Sequence, residues 1–467
     1  MKPKPRGAPW TALVLAAVAG LFFLRMRVHV DPDLFFHLRD GAGVLAGRLP
    51  LSEEYSFTRA GKPMVAIEWL SSASFAALFR LGGYPLVAAF SVLLLVGALF
   101  LVTRIWDEDG PPEAARALLA ALAAFALLNF ALAKVQNFTI FLFALHLYWA
   151  RRWERGARWA PWAMAASLAV WVNLHGGFML GWVILGGLCV LDFWETRRAA
   201  ALAPWAAGTF ACFLHPNGAT AFAYPIWFLF AAPAGRSLIV EWRPLQFVPS
   251  AAPYALVLAA ALLARVDRLR ARLPWAFLGV VFLVMGLRTR KMLPYFALAE
   301  CAAAGLALTG AEFGRARTRL ALGGALTVLV AVAAVEVSEA RALAPLGPAS
   351  DWEREYPREA AEHFAARDSG RRLFHAYEWG GYLLYKLPPG NPVFIDGRLD
   401  PYWTLLDDYR TLMSAGPGWE TLAADYRIEA ALLPPASGLA RALKGTSGWT
   451  AAGSDGRAVL FEKSASR

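Results

Sequence analysis

Asp31-Pro32-Asp33-Leu34-Phe35-Phe36-His37-Leu38-Arg39 stands a few residues after the first apolar run of the chain, residues 9–24. Two carboxylates, an imidazole and a guanidinium therefore fall where the polypeptide should leave the lipid. Charges at a membrane face must be solvated, paired or metal-bound, because bare burial costs several kcal/mol or more. The same residues also satisfy a helix start: Asp31 as N-cap, Pro32 at the first helical position, Asp33 favoured by the helix dipole. Capping and chemistry can share one set of side chains.

The remainder of the chain explains the setting. Of 467 residues 58 % are hydrophobic and 17 % charged, with 19 Trp and 30 Phe, whereas soluble domains run near ~45–50 % apolar and ~25 % charged. Apolar runs recur to about residue 336 and then stop. The expected spans are 9–24, 84–105, 117–133, 138–150, 160–174, 177–192, 201–214, 252–266, 273–287, 292–309 and 320–336, about eleven in all. Several are shorter than the ~20 residues of a full crossing.

A net charge of +11 would suggest nucleic acid in a soluble protein. Here the cations fall in alternate connections instead, at Lys2 to Arg6, Arg151 to Arg158, Arg197-Arg198, Arg265 to Arg272 and Arg315 to Arg319. By the positive-inside rule these connections are cytoplasmic, which puts the N-terminus inside and the C-terminus outside, with no nucleic-acid partner implied. Residues 3–24 also resemble a secretory signal, but the small residues Ala17-Val18-Ala19 lie inside the apolar run, so an uncleaved first span is expected. Cys189, Cys212 and Cys301 sit in or beside apolar spans and read as packing residues.

The domain organisation that follows is a transmembrane domain over 1–336, with 25–83 as its first extracytoplasmic loop, and an extracytoplasmic α/β domain over 337–467. In the latter, Tyr356 to Arg367 and Asp407 to Met413 read as helices. Val393 to Ile395, Ile428 to Leu433 and Ala458 to Phe461 read as strands. About 130 residues suffice for an independent core.

Several motifs, taken in order, resemble those of the oligosaccharyltransferase catalytic subunit. Asp33, His37 and Arg39 match the spacing of a first-loop Asp-Pro-Trp-Tyr-His-Tyr-Arg type run, although the Asp-Pro pair itself matches Asp31-Pro32. Ile239-Val240-Glu241-Trp242-Arg243-Pro244 resembles an external loop carrying a functional Glu. Arg288, Arg290 and Lys291 resemble the basic run near the lipid-linked donor. Tyr377-Glu378-Trp379-Gly380-Gly381-Tyr382 resembles the WWDYG motif, and Phe394-Ile395-Asp396-Gly397-Arg398 the strand that follows it. Two departures limit the match to the wider GT-C superfamily. Gln136-Asn137-Phe138 stands where those enzymes carry an Asp-Asn-Glu run, and Glu378 with the paired glycines departs from WWDYG.

The resemblance implies a GT-C-like polytopic α-helical membrane protein that transfers a sugar from a polyprenyl-phosphate-linked donor. The acceptor would be a saccharide, lipid or protein at the outer face of the bilayer. Under it Asp31, Asp33 and Glu241 are the expected catalytic residues. Asp33 is also the expected ligand of a divalent cation (Mg²⁺ or Mn²⁺), and His37, Arg39, Arg288, Arg290 and Lys291 are the expected donor-binding residues. Such chemistry needs a carboxylate to orient or deprotonate the acceptor hydroxyl or to hold a metal, and cations to neutralise the leaving phosphate. The Arg288 to Lys291 cations also fit interfacial anchors. An Ala- and Arg-rich composition suggests a bacterial inner-membrane protein with a periplasmic site. Two other classes share the pattern: a transporter or flippase of lipid-linked saccharides, which would place charges near mid-membrane, and a non-catalytic assembly protein. Asp396, Arg398 and Asp400, near a Gly turn, read as an internal ion pair.

Overall fold

The computed structural model describes residues 9–106, 110–230, 273–344, 351–367, 370–398 and 400–464. They fall into two compact units. The described residues of 1–29, 85–226 and 236–343 form one, and those of 30–84, 227–235 and 344–467 form the other.

The first unit is a helical bundle. Helix α1 (Trp10–Val28) packs against Glu113–Leu127 and Arg315–Leu343, and Leu293–Ala307 packs on Glu113–Leu127. Charge ties the ends: Arg25 lies 2.8 Å from Glu336 and 2.8 Å from Glu339, and His29 is 2.7 Å from Glu339. Such a network suits a low-dielectric bundle, because every carboxylate in it has a cationic partner. Close helix contact is set by small residues; a Cβ on Gly305 would lie 2.1 Å from the Trp106 ring, whose Nε1 donates to the Ala302 carbonyl at 3.0 Å.

Ten of the eleven expected spans coincide with helices, and 252–266 lies outside the described residues. They are not equivalent. Among the described residues five helices have the length and apolarity of a full crossing: Trp10–Val28, Trp69–Ile105, Glu113–Phe130, Phe178–Thr196 and Arg315–Leu343. Ala160–Leu174 and Ala199–Ala211 are apolar but shorter. The second long helix, α3 (Trp69–Ile105), begins fifteen residues before its expected start at 84 and breaks at Gly82 and Gly83, where Gly83 takes φ +64°. Its first turns thus belong to the residues expected as loop.

The second unit joins those loop residues to the C-terminal region. Helix α2 (Asp33–Leu45) sends Phe35 and Phe36 into a core with Tyr356, Phe364, Tyr382 and Leu432. Phe35 is fully buried, with ring centroids 4.6 Å from Tyr356, 5.1 Å from Tyr382 and 5.3 Å from Trp352. Burying a Phe is worth ~1.5–3 kcal/mol, and each aromatic pair adds ~0.5–1.5 kcal/mol. The boundary expected at 336/337 therefore divides the chain differently from its packing: the helix Arg315–Leu343 runs across it, and residues 30–84 share a core with the C-terminal region.

That core backs a four-stranded sheet in the order β1-β2-β4-β3, with β1 (Leu373–His375) parallel to β2 (Ala430–Leu433). β4 (Val459–Lys463) runs antiparallel to both β2 and β3 (Trp449–Ser454). The expected helices and the last two expected strands are present as Arg358–Arg367, Leu406–Ser414, β2 and β4. Val393 to Ile395 is not a strand. Val393 makes isolated bridges to Ser56 and Leu373, its N–H donating to the Tyr55 carbonyl at 3.0 Å, and the chain then turns away at Asp396-Gly397. Phe394 and Ile395 are nonetheless fully buried, which is the apolar signal the sequence carried.

Candidate functional site

The site begins at the N-terminus of α2. The Asp31 carboxylate accepts the Asp33 N–H at 3.0 Å and is almost fully buried, so Asp31 caps the helix as its position suggests. Asp33 is half-buried. Three glycines shape its surroundings. A Cβ on Gly397 would stand 2.1 Å from the Asp33 Oδ1 and 3.0 Å from the Phe36 ring. A Cβ on Gly381 would stand 2.9 Å from the Pro32 carbonyl oxygen, and one on Gly380 would stand 2.1 Å from the Ile395 carbonyl oxygen. Only glycine permits this approach. The three motif-bearing segments, Asp31-Pro32-Asp33, Gly380-Gly381 and Asp396-Gly397-Arg398, thereby meet at one helix end. Tyr377 is beside them; burial first, then the charges of Asp33 and Asp396, hold its phenol well above the usual value, and its N–H donates to the Tyr409 hydroxyl at 2.7 Å.

Arg398 anchors this meeting of segments from within. Its Nε lies 2.9 Å from Asp396 Oδ1 and its Nη2 2.6 Å from Asp396 Oδ2, the forked pairing of guanidinium and carboxylate. Nη2 also reaches Glu53 Oε2 at 2.9 Å, Nη1 stands 4.0 Å from Asp40, and the guanidinium sits 4.6 Å from the Tyr55 ring centroid. The Tyr402 hydroxyl donates to Asp396 Oδ2 at 2.9 Å. Asp396, Glu53 and Tyr402 are essentially without exposure. Three carboxylates thus share one buried guanidinium. Burial raises Asp40 to about 6 and Glu53 above its usual value, with Arg398 opposing both. The ion pair expected at Asp396 and Arg398 is present, within a larger network.

His37 faces inward. Its Nδ1 is 2.9 Å from the Ser72 Oγ and its Nε2 3.8 Å from Glu68 Oε2, joining α2 to α3. Burial, then Arg398, lowers its pKa to about 3, so the ring is neutral. His375 is likewise neutral, lowered to about 4 by burial; its Nδ1 donates to the Ala376 carbonyl while Nε2 accepts the Phe394 N–H at 3.2 Å. Arg39 is half-buried 5.9 Å from the Tyr55 ring centroid and lines a cleft of about 490 Å³ with Asp40, Arg48 and Asn391.

Arg288, Arg290 and Lys291 are in the bundle unit, at the turn between Leu273–Arg288 and Leu293–Ala307; Arg288 is exposed and the other two half-buried. Glu241 lies outside the described residues. For a divalent cation, no group of three His, Cys, Asp or Glu is disposed to share an ion among the described residues. Asp33 fits the Mg²⁺ mode, in which one or two carboxylates are completed by water and substrate phosphate.

Sequence reasoning missed Asp40, Glu53, Tyr55 and Tyr402. Asp40 had a signal, since it recurs seven residues after Asp33 on nearly the same helix face. Glu53 had none.

No family model matches the chain, and no curated protein sequence matches it. Solved structures do. ArnT from Cupriavidus metallidurans bound to undecaprenyl phosphate aligns at a TM-score of 0.56 and 16 % identity over 98 % of each chain. The apo state of that protein aligns at 0.57 and 15 % over 97 % of each. The Archaeoglobus fulgidus oligosaccharyltransferase, tethered by a disulfide to an acceptor peptide containing the NVT sequon, aligns at 0.57 and 12 %, over 91 % of this chain and 69 % of that one. The chain has the fold of the GT-C membrane glycosyltransferases.

Proposed function

We propose that this protein is a membrane glycosyltransferase that moves a sugar from a polyprenyl-phosphate-linked donor to an acceptor hydroxyl or amine. It would act at the outer face of a bacterial inner membrane, with the site facing the periplasm. The observation that carries the reading is the half-buried Asp33 carboxylate at a helix start where three distant segments converge on glycines. The capping duty at this helix start falls to Asp31.

In the proposed step the acceptor nucleophile attacks the anomeric carbon, the bond from that carbon to the phosphate oxygen breaks, and polyprenyl phosphate leaves. The Asp33 carboxylate orients the nucleophile and takes its proton. Tyr377, held protonated, is suited to hydrogen-bond a neighbouring oxygen. Arg288, Arg290 and Lys291 are proposed for the departing phosphate, and Glu241 for ordering the substrate. A Mg²⁺ or Mn²⁺ ion, if used, would be held by Asp33 and the donor phosphate, where it would supply charge neutralisation. Undecaprenyl phosphate in the ArnT structure supports a donor of this class.

The test is purified protein with short-chain polyprenyl-phosphate sugars and a panel of acceptors. Asp33→Asn should lower turnover by ~10²-fold or more with an unchanged melting temperature. Asp31→Ala should cost about 0.5–2 kcal/mol of stability and less turnover. Wild-type turnover in both variants would leave the acidic pair structural and favour the non-catalytic reading.

A further inference from the structure

The cleft beside the second turn of α2 does not have Asp33 in its lining, and that lining has an unfinished chemistry. It is bounded by α2, the Arg48 to Tyr55 loop and the Leu387 to Pro392 loop, all in the second unit. Asp40 opens onto it while 7 % exposed, and its Oδ1 is buried with no hydrogen-bond partner. A buried carboxylate oxygen left without a donor is costly, and a hydroxyl or amide supplied by a ligand would relieve that cost. At the mouth Arg39 is half-buried and Arg48 exposed, and neither pairs with a carboxylate among the described residues. Arg398, by contrast, is fully engaged with Asp396 and Glu53. Glu54 adds an exposed carboxylate to the rim, which leaves the two free guanidiniums as the local excess.

A neutral ligand would leave the guanidiniums idle, and a cationic one would be repelled by them. A simple anion would satisfy them and leave Asp40 Oδ1, 4.0 Å from Arg398 Nη1, without a hydrogen-bond donor. We infer that this cleft binds an acidic saccharide, its carboxylate or phosphate held by Arg39 and Arg48 and a ring hydroxyl donating to Asp40 Oδ1. This rests on the transferase reading in one respect, the identity of the ligand as part of the acceptor. Asp33 and Asp40 are seven residues apart on α2, about 10 Å at 1.5 Å per residue. An oligosaccharide can place its reacting unit at Asp33 and an acid-bearing unit in the cleft.

The experiment measures binding and transfer separately on the full-length protein in detergent. A glucuronate-containing tetrasaccharide should bind at least ~10-fold more tightly than its carboxyl-reduced form, the usual worth of a charge-assisted contact. Glucose 6-phosphate set against glucose reports whether phosphate serves as well as carboxylate. Arg48→Ala, an exposed change that leaves the core untouched, should weaken acidic-saccharide binding ~10-fold or more, and Arg39→Ala similarly. Asp40→Leu should weaken both the acidic and the reduced ligand. The inference is overturned if the reduced and acidic forms bind alike, if Arg48→Ala binds as wild type, or if inorganic phosphate or tetraglutamate binds as tightly as the tetrasaccharide. Acidic-saccharide binding by a wild-type protein that transfers sugar to none of the acceptors would keep the cleft and remove the transferase reading. Transfer without such binding would do the reverse.

Discussion

Two aspartates of α2, one at its start and one two turns on, carry the same side chain in opposite circumstances. Asp33 is half-buried beside Gly397, with Asp31 satisfying the helix start next to it. Asp40, two turns on, is buried with Glu53 and Asp396 around a single guanidinium. The first arrangement leaves a carboxylate half-exposed and reachable. The second uses carboxylates to fix Arg398, and with it the Asp396-Gly397 turn that forms the wall of the first. One aspartate is built for chemistry and the other for placing it. A lone buried ion pair would be weak support for stability, but here the bridge joins residues 345 positions apart, from Glu53 to Arg398.

Removing the anchor should produce the largest effect. Arg398→Met leaves three buried carboxylates without their cation, and the expected loss is about 3–5 kcal/mol, read as the melting temperature of the purified protein. A melting temperature within a degree of wild type would mean the cluster is solvated and places nothing.

A titration sharpens the contrast next. Asp40 is faced by Arg398, Tyr55, Asp396 and Glu53, and its folded-state value of about 6 is above the ordinary 3.8. The folded protein therefore holds the proton more tightly. Asp40 costs stability above pH 6, and the cost is relieved as pH falls toward 4, with a ceiling on the order of 3 kcal/mol. Glu53 has the same sign. His37 and His375, depressed to about 3 and about 4, act oppositely and lose stability for the fold as pH drops below 6.5. The diagnostic is thus the difference between Asp40→Asn and wild type. The variant should gain at pH 7, with the gain shrinking by pH 4.5, and a difference independent of pH would show Asp40 ionised normally.

The smallest expected effect probes the link between the two aspartates. Gly397→Ala drives a methyl against Asp33 Oδ1 and the Phe36 ring. Turnover should fall ~10-fold or more from misplaced geometry, at a stability cost of about 1–3 kcal/mol for overpacking. Full activity with a normal melting temperature would show that Asp33 swings freely and needs no wall.

Some of this was written in local sequence. The apolar runs, the acidic helix start, and the buried Phe394-Ile395 were legible because hydrophobic periodicity and capping residues act over one or two turns. The order of motifs was legible too, and with it the superfamily fold. Asp31 as a cap followed from residue type and position alone.

Tertiary structure alone decided what those motifs touch. That Phe35 belongs to the core of the C-terminal region, that Gly380, Gly381 and Gly397 are glycines because α2 closes on them, and that Glu53 serves Arg398 are facts about residues hundreds of positions apart. No local propensity encodes them. His37, expected as a phosphate contact, is turned inward onto Ser72 for the same reason: an i,i+4 spacing fixes a helix face but not what that face meets. The sequence determined which side chains were available for chemistry, and long-range packing determined which of them water and substrate can reach.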